Sequence, residues 1–257
     1  MPLTLEGSTA IVTGGGSGLG ATTARELAQR GARVALLDVD GRAVGKVAGE
    51  IGQGAVSVEA DVTDPEAVAR AIGQAADDLG TLRVAVCCHG VLGPGRVLRR
   101  QGEPDVAGFS TTVGVNLVGA YNVLAGVAHR MSTNEPDENG ERGVIVMTAS
   151  IAGYEGQIGQ VGYAASKAGI LGLVLPAARD LAGVGIRVMA IAPGTFDTPM
   201  LASLPKTVRD ELGAQIPFPA RLGRPSEFAD LVCHIATNPA LNGTAIRLDG
   251  ALRLPPR

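Results

Sequence analysis

Short runs of apolar, largely β-branched residues alternate with longer stretches of helical patterning from one end of the chain to the other. Seven runs stand out, at residues 9–13, 33–37, 55–59, 83–87, 144–148, 187–191 and 245–248. They are continuously apolar rather than alternating, as strands covered on both faces must be. The segments between them are long enough for crossover helices, and strand alternating with helix is the pattern of a parallel sheet wound on both faces. Such crossovers are right-handed, so the expected fold is α/β, a doubly wound seven-stranded parallel sheet of the Rossmann type. No internal repeat is visible, and a length of 257 residues suits a single domain over residues 1–257.

Three stretches break the rhythm. Residues 91–107 are rich in Gly, Pro and Arg, and residues 194–219 carry Pro199, Pro205, Pro217 and Pro219 around a short helical piece. Both follow strand ends, where open parallel sheets bind ligands, so both are read as substrate loops. Residues 106–128 contain no charge and are long enough to span a bilayer. Their asparagines, hydroxyls and glycines weaken that reading in favour of a helix buried in protein or at a subunit contact, and no membrane association is expected.

Composition removes other classes. The 22 basic and 25 acidic residues leave a formal charge of -3, too balanced for the footprint of a nucleic-acid binder. Cys87, Cys88 and Cys233 do not make a disulfide framework, and residues 1–7 lack the pattern of a signal peptide, so a reducing, cytoplasmic location is expected. Adjacent Cys88 and His89 lack metal-ligand spacing, and no metal is expected. Arg96, Arg99 and Arg100 gather in the first loop. They read either as a solvated surface or as contacts for a phosphate-bearing substrate.

The first run leads into Thr13-Gly14-Gly15-Gly16-Ser17-Gly18-Leu19-Gly20, and a helical pattern follows. Gly14 permits a tight turn, while Gly18 and Gly20 let a pyrophosphate and a neighbouring strand approach the backbone at the positive end of a helix dipole. The second run ends at Asp38, about twenty residues further on, where a carboxylate can accept from adenosine ribose hydroxyls and repel a 2′-phosphate. Neither Ser17 nor Val39 supplies a cation for such a phosphate, so NAD is expected rather than NADP. Asp61 and Val62 close the third run, placed for an adenine edge.

Tyr163 and Lys167 lie four residues apart on one face of a helical pattern. A phenol titrates near pKa ~10, and an adjacent ammonium brings it toward the working range of a general acid and base. Ser150 ends the fifth run, where a hydroxyl can hold a carbonyl oxygen. Asn116, in a mostly apolar helix, demands a hydrogen-bond partner. After the sixth run, the amides of Pro193-Gly194-Thr195-Phe196-Asp197-Thr198 and the Thr198 side chain are placed to face a nicotinamide amide.

With these motifs in this order, the chain resembles the short-chain dehydrogenase/reductase family over essentially its whole length. The resemblance implies that Tyr163 transfers a proton, Ser150 orients the carbonyl, Lys167 lowers the tyrosine pKa and holds the nicotinamide ribose, and Asn116 anchors a water of a proton relay. It also implies that Ser17, Leu19, Cys88, Gly90, Pro193 and Phe196 border the cofactor and Gln160 the substrate. Residues 134–137, 175–181, 217–223 and 241–251 are similar to the type-2 3-hydroxyacyl-CoA dehydrogenases. That similarity implies a 3-hydroxyacyl-CoA substrate and a homotetramer. The helix after Tyr163, apolar nearly all round, must in any case be covered. Two alternatives stand beside this reading. One is a dehydrogenase for hydroxysteroids or secondary alcohols, its pocket lined by Val91, Leu92, Val97, Leu98 and Met200; the other is an NAD-binding scaffold without catalysis. One departure is plain: the family's Asn-x-Ala-Gly stands here as Cys87-Cys88-His89-Gly90. His89 either rotates outward or reshapes the pocket.

Overall fold

Strands form where the apolar runs lie: β1 (Thr9–Thr13), β2 (Arg33–Asp38), β3 (Val56–Glu59), β4 (Leu82–Cys87), β5 (Gly143–Thr148), β6 (Ile186–Pro193) and β7 (Ala245–Leu248). This computed structural model describes residues 3–52, 54–98, 102–202 and 204–256, with Met200 described in its backbone alone. The strands pair in parallel in the order β3-β2-β1-β4-β5-β6-β7. The sheet therefore grows outward from β1 in both directions, and the switch between β1 and β4 opens a crevice at their carboxyl ends. Every residue of β1, β5 and β6 is buried, which is why these runs show no polar alternation. β6 outruns its apolar pattern because Ala192 and Pro193 continue the pairing with Arg247 and Leu248.

The crossover helices split into two layers. On one face, α3 (Pro65–Leu79), α5 (Gly119–Met131) and α6 (Val161–Ala182) share a core with Ile11, Ala35 and Ile145. On the other, α1 (Gly18–Gln29), α2 (Gly41–Ile51) and α9 (Pro225–Thr237) pack on Ala10, Val12 and Val146. Successive strand residues thus feed opposite cores.

The uncharged stretch 106–128 is helical. α4 (Val106–Val113) runs through a π-helical segment, Gly114–Val118, into α5. It and α6 are long and apolar enough to cross a bilayer by length and composition. Each nevertheless lays one side on the sheet, α5 with Val123, Val127 and Met131, α6 with Ile170, Val174 and Ala178. Phe109, Val118, Tyr121 and Leu175 remain exposed on the outer side. The second substrate loop holds two short helices rather than one, α7 (Pro199–Ala202) and α8 (Lys206–Ala214).

A buried charge braces the far end of β6. Arg187 meets Glu141 Oε1 through Nε at 3.0 Å and through a terminal nitrogen at 2.9 Å, and both side chains are under one tenth exposed. Its guanidinium also donates to the carbonyls of Ile235, Ala236, Asn238 and Leu241, closing the carboxyl end of α9.

Candidate active site

A cleft of about 640 Å³ opens beyond the carboxyl ends of the central strands. At one end lies the glycine loop, where Gly14, Ser17, Gly18, Leu19 and Gly20 line the wall. Packing demands these glycines as much as ligand approach does. A Cβ on Gly14 would stand 2.6 Å from the His89 backbone nitrogen, and one on Gly20 would stand 2.1 Å from the Gly14 carbonyl oxygen. Gly14 also has a φ of 66°, in the left-handed region.

The loop delivers the chain to α1 without a side-chain cap. Asp40, Asp64 and Asp105 cap α2, α3 and α4 with side-chain acceptors, whereas Ser17 makes no such bond at the start of α1. Amides of the first turn therefore keep their donors for something else, at the positive end of the helix dipole. Asp38 stands across from them at the cleft wall, its Oδ2 accepting from Gly16 N at 3.0 Å and its Oδ1 from Asp40 N at 3.1 Å. Asp61 and Val62 line the cleft next to it. Asp61 Oδ1 accepts from the Thr63 amide and hydroxyl, both at 2.8 Å, which holds its carboxyl below the usual range. An anion cradle beside a fixed carboxylate fits the pyrophosphate and the sugar hydroxyls of a dinucleotide.

At the other end, Ser150, Tyr163 and Lys167 line the same cleft. β5 presents Ser150 just past its end, and the first two turns of α6 present Tyr163 and Lys167 one turn apart. Ser150 Oγ accepts from Ala152 N at 3.1 Å and shares a hydrogen bond with the Tyr163 phenol. Burial pushes the phenol above its ordinary range, and the Ser150 bond opposes that shift. Lys167 Nζ donates to the Thr148 carbonyl at 2.8 Å and stands 5.8 Å from the centre of the Tyr163 ring. Burial pulls its pKa down to about 8. The sequence predicts an ammonium that lowers the tyrosine. In the free cleft, desolvation dominates both groups and drives each toward its neutral form, because the ammonium is turned to a backbone carbonyl rather than to the phenol.

Asn116 is not in the cleft wall. It is 1% exposed in the π-helical segment, where Oδ1 accepts from Val91 N at 2.8 Å and Nδ2 donates to Val91 O at 2.9 Å and to Ser166 Oγ at 3.1 Å. Its amide hydrogens are both used, and the side chain ties the root of the first substrate loop to Ser166 on α6. Val91 and Leu92 do line the cleft, whereas Val97 and Leu98 are 73% and 83% exposed and do not. Arg96 is exposed. Arg99, Arg100 and the Met200 side chain lie outside the described residues.

His89 turns inward. Its Nδ1 lies 2.6 Å from Thr13 Oγ1, and its Nε2 is buried with no hydrogen bond. Burial first, then the Lys167 ammonium, pushes the imidazole down to about 3, with the Val115 backbone opposing. It is a neutral wedge between the glycine loop and β4. Cys88 and Gly90 border the cleft on either side of it, and burial raises the Cys88 thiol to about 11, which makes it a poor nucleophile.

Pro193, Phe196 and Thr198 line the wall after β6, and Gln160 lines it ahead of Tyr163. Leu201, Leu212 and Gln215, together with Leu252 and Leu254 near the end of the chain, complete the cleft. Leu201, Leu212 and Gln215 fall within the second substrate loop expected from the sequence, whereas Leu252 and Leu254 lie outside both loops. The carboxyl-terminal pair left only one trace, two apolar positions spaced by two after the Asp249-Gly250 turn.

Comparison with known proteins identifies the family. The family model for the short chain dehydrogenases matches residues 8–209. The human 3-hydroxyacyl-CoA dehydrogenase type-2 is 47% identical over 254 residues, covering 98% of this chain and 97% of the relative. The enzyme of the same name from Drosophila melanogaster is 46% identical, with 98% of this chain and all of the relative covered. A crystal structure of 3-hydroxyacyl-CoA dehydrogenase type-2 from Mycobacterium avium superposes with a TM-score of 0.94 at 48% identity, covering 98% of each chain. The chain belongs to the short-chain dehydrogenase family of oxidoreductases.

Proposed function

We propose that the protein interconverts a 3-hydroxyacyl-CoA and the corresponding 3-oxoacyl-CoA, with NAD as the hydride carrier. One observation carries this reading: Ser150, Tyr163 and Lys167 converge at one end of a cleft whose other end offers an uncapped helix terminus and a fixed carboxylate. The names of the relatives support the acyl-CoA substrate. Asp38, locked by two backbone amides, favours NAD over its phosphorylated counterpart, since a 2′-phosphate beside it would face an unpaired negative charge.

The chain's own groups divide the work. Ser150 donates to the substrate oxygen and holds it against Tyr163. During oxidation the phenol oxygen takes the hydroxyl proton; during reduction it returns that proton to the carbonyl oxygen. Lys167, its pKa pulled down to about 8, still carries its proton at neutral pH and stands 5.8 Å from the centre of the Tyr163 ring. NAD bound along the glycine loop supplies the hydride acceptor. Pro193, Phe196 and Thr198 border the nicotinamide end, and Gln160 borders the substrate.

The exposed Phe109, Val118, Tyr121 and Leu175 support a self-associated enzyme, read as a homotetramer. Three free thiols support a reducing location, read as the cytoplasm.

Two assays test the proposal. Tyr163→Phe loses about 10²–10⁴-fold in kcat while binding NADH as tightly as the parent protein; a variant that keeps its turnover refutes the assignment of the phenol. If acetoacetyl-CoA reduction with NADH is undetectable while another carbonyl is reduced well, the substrate reading fails and the dehydrogenase class survives.

A further inference from the structure

The end of the chain is tied down more firmly than an exposed tail requires. Arg247, on β7, forms a bidentate pair with Glu155 at 3.0 and 2.5 Å, and its Nε donates to Asp249 Oδ2 at 2.7 Å. The same guanidinium donates to the Leu252 carbonyl at 3.1 Å and lies 4.9 Å from the centre of the Tyr154 ring. One side chain thus joins the end of the sheet, the loop that follows Ser150, and the segment after Gly250. Further along, the Ile158 amide donates to the Pro256 carbonyl at 3.0 Å, and Gln157 Nε2 donates to the Pro255 carbonyl at 3.2 Å. Between these fastenings, Leu252 is 5% exposed and packs with Ile151, Ile216 and Leu254.

The position of this apolar cluster is what matters. Ile151 directly follows Ser150, and Ile151, Leu252 and Leu254 all border the cleft at its Ser150 end, away from the glycine loop. The glycine loop and Asp38, which offer sites for the pyrophosphate and the adenosine sugar, lie at the other end. An apolar wall here faces whatever extends from the reacting carbonyl.

We propose that residues 252–254, positioned by Arg247, form the specificity wall of the enzyme and set the length of the apolar chain accepted beyond the reacting carbon. Resting on the hydride-transfer reading above, this adds which part of the molecule measures the substrate. Arg247 is a positioning residue, since it touches the wall and not the substrate. Leu252 and Leu254 are the measuring side chains. Truncating Leu254 frees room for about two to three methylene groups, and burying a methylene contributes enough to change binding about fourfold. Leu254→Ala should therefore raise the ratio of kcat/KM for a longer substrate over a short one by about tenfold or more. Leu254→Trp should move the ratio the opposite way.

The test is a steady-state profile over a straight-chain 3-oxoacyl-CoA series for the parent protein, L254A, L254W and R247Q, with NADH affinity followed by fluorescence titration. Expected are opposite displacements of the profile for L254A and L254W, and a broadened profile with a raised KM and preserved kcat for R247Q. NADH affinity should stay unchanged in all three. Superimposable chain-length profiles overturn the wall, as does a loss confined to kcat or to NADH binding. Because Leu254 is only partly buried, its two variants stay interpretable even if R247Q folds poorly. Should the parent protein reject every CoA ester, the acyl-CoA reading falls separately, and the same variants are then scored on a series of secondary alcohols of increasing length.

Discussion

Replacing Arg187 with Met removes a buried charge that bonds one carboxylate and four backbone carbonyls. Methionine matches much of the aliphatic stem but none of the donors. Glu141, 6% exposed, would lose both of its contacts to the guanidinium, and the carbonyls of Ile235, Ala236, Asn238 and Leu241 would lose theirs. Breaking one partner of a buried pair costs about 3–5 kcal/mol, because the remaining ion is left uncompensated. For a chain of this size each kcal/mol lowers Tm by about 2–4 °C, so a fall of roughly 6–20 °C is expected. The pH dependence carries the diagnosis. Burial already raises the Glu141 pKa, and losing Arg187 raises it further. A carboxyl raised in the folded state destabilises most above that raised pKa, and the penalty disappears as acid protonates it in both states. The deficit of the variant relative to the parent should therefore shrink from pH 8 toward pH 5. Denaturant unfolding at one fixed protein concentration measures it at both pH values. The double change Arg187→Met with Glu141→Leu should recover at least half of the loss. A single variant within about 1 kcal/mol of the parent, or a deficit that grows in acid, would refute the reasoning.

The remaining predictions concern the cleft. His89 stays neutral in the fold down to about 3, whereas an unfolded histidine takes up a proton near pH ~6.5, so this residue costs stability as pH falls through that interval. His89→Ala, which restores the residue its family keeps there, should flatten the acid side of the stability curve; parallel curves for the two proteins would contradict the burial of the imidazole. Gly20→Ala should weaken NADH binding at least tenfold in a fluorescence titration, since its Cβ meets a backbone oxygen at 2.1 Å that no rotamer change can move. Gly49→Ala, in α2 with nothing within 4 Å, serves as its control and should leave binding intact while adding about 0.5–1 kcal/mol of stability. Lys167 binds its proton less readily in the fold than in the unfolded chain, so stability should rise between pH 8 and 10.5 in the parent relative to Lys167→Met. Equal slopes for the two proteins would show that the amine is not buried.

The sequence alone determined the seven strands, their parallel order of winding and the cofactor end of the cleft. Each of these rests on local pattern or on short spacing: apolar runs too continuous for a half-exposed sheet, glycines at fixed intervals before a helix, Asp38 at the end of the next strand, and Tyr163 with Lys167 one turn apart. Tertiary structure alone decided what those groups experience. The direction in which the Tyr163 and Lys167 pKa values move depends on desolvation by residues far away in the chain, which raises the phenol and lowers the amine. Asn116 was legible as a polar group needing partners, but only the fold supplies Val91 and Ser166 as those partners and withdraws the side chain from the cleft. His89 could have turned either way until Thr13 came within 2.6 Å of it. The far wall was silent in the sequence because Leu252 and Leu254 carry no chemistry of their own. Their role comes from contact with Ile151, about a hundred residues earlier, and from the Arg247 guanidinium and the backbone bonds that tie the two segments together.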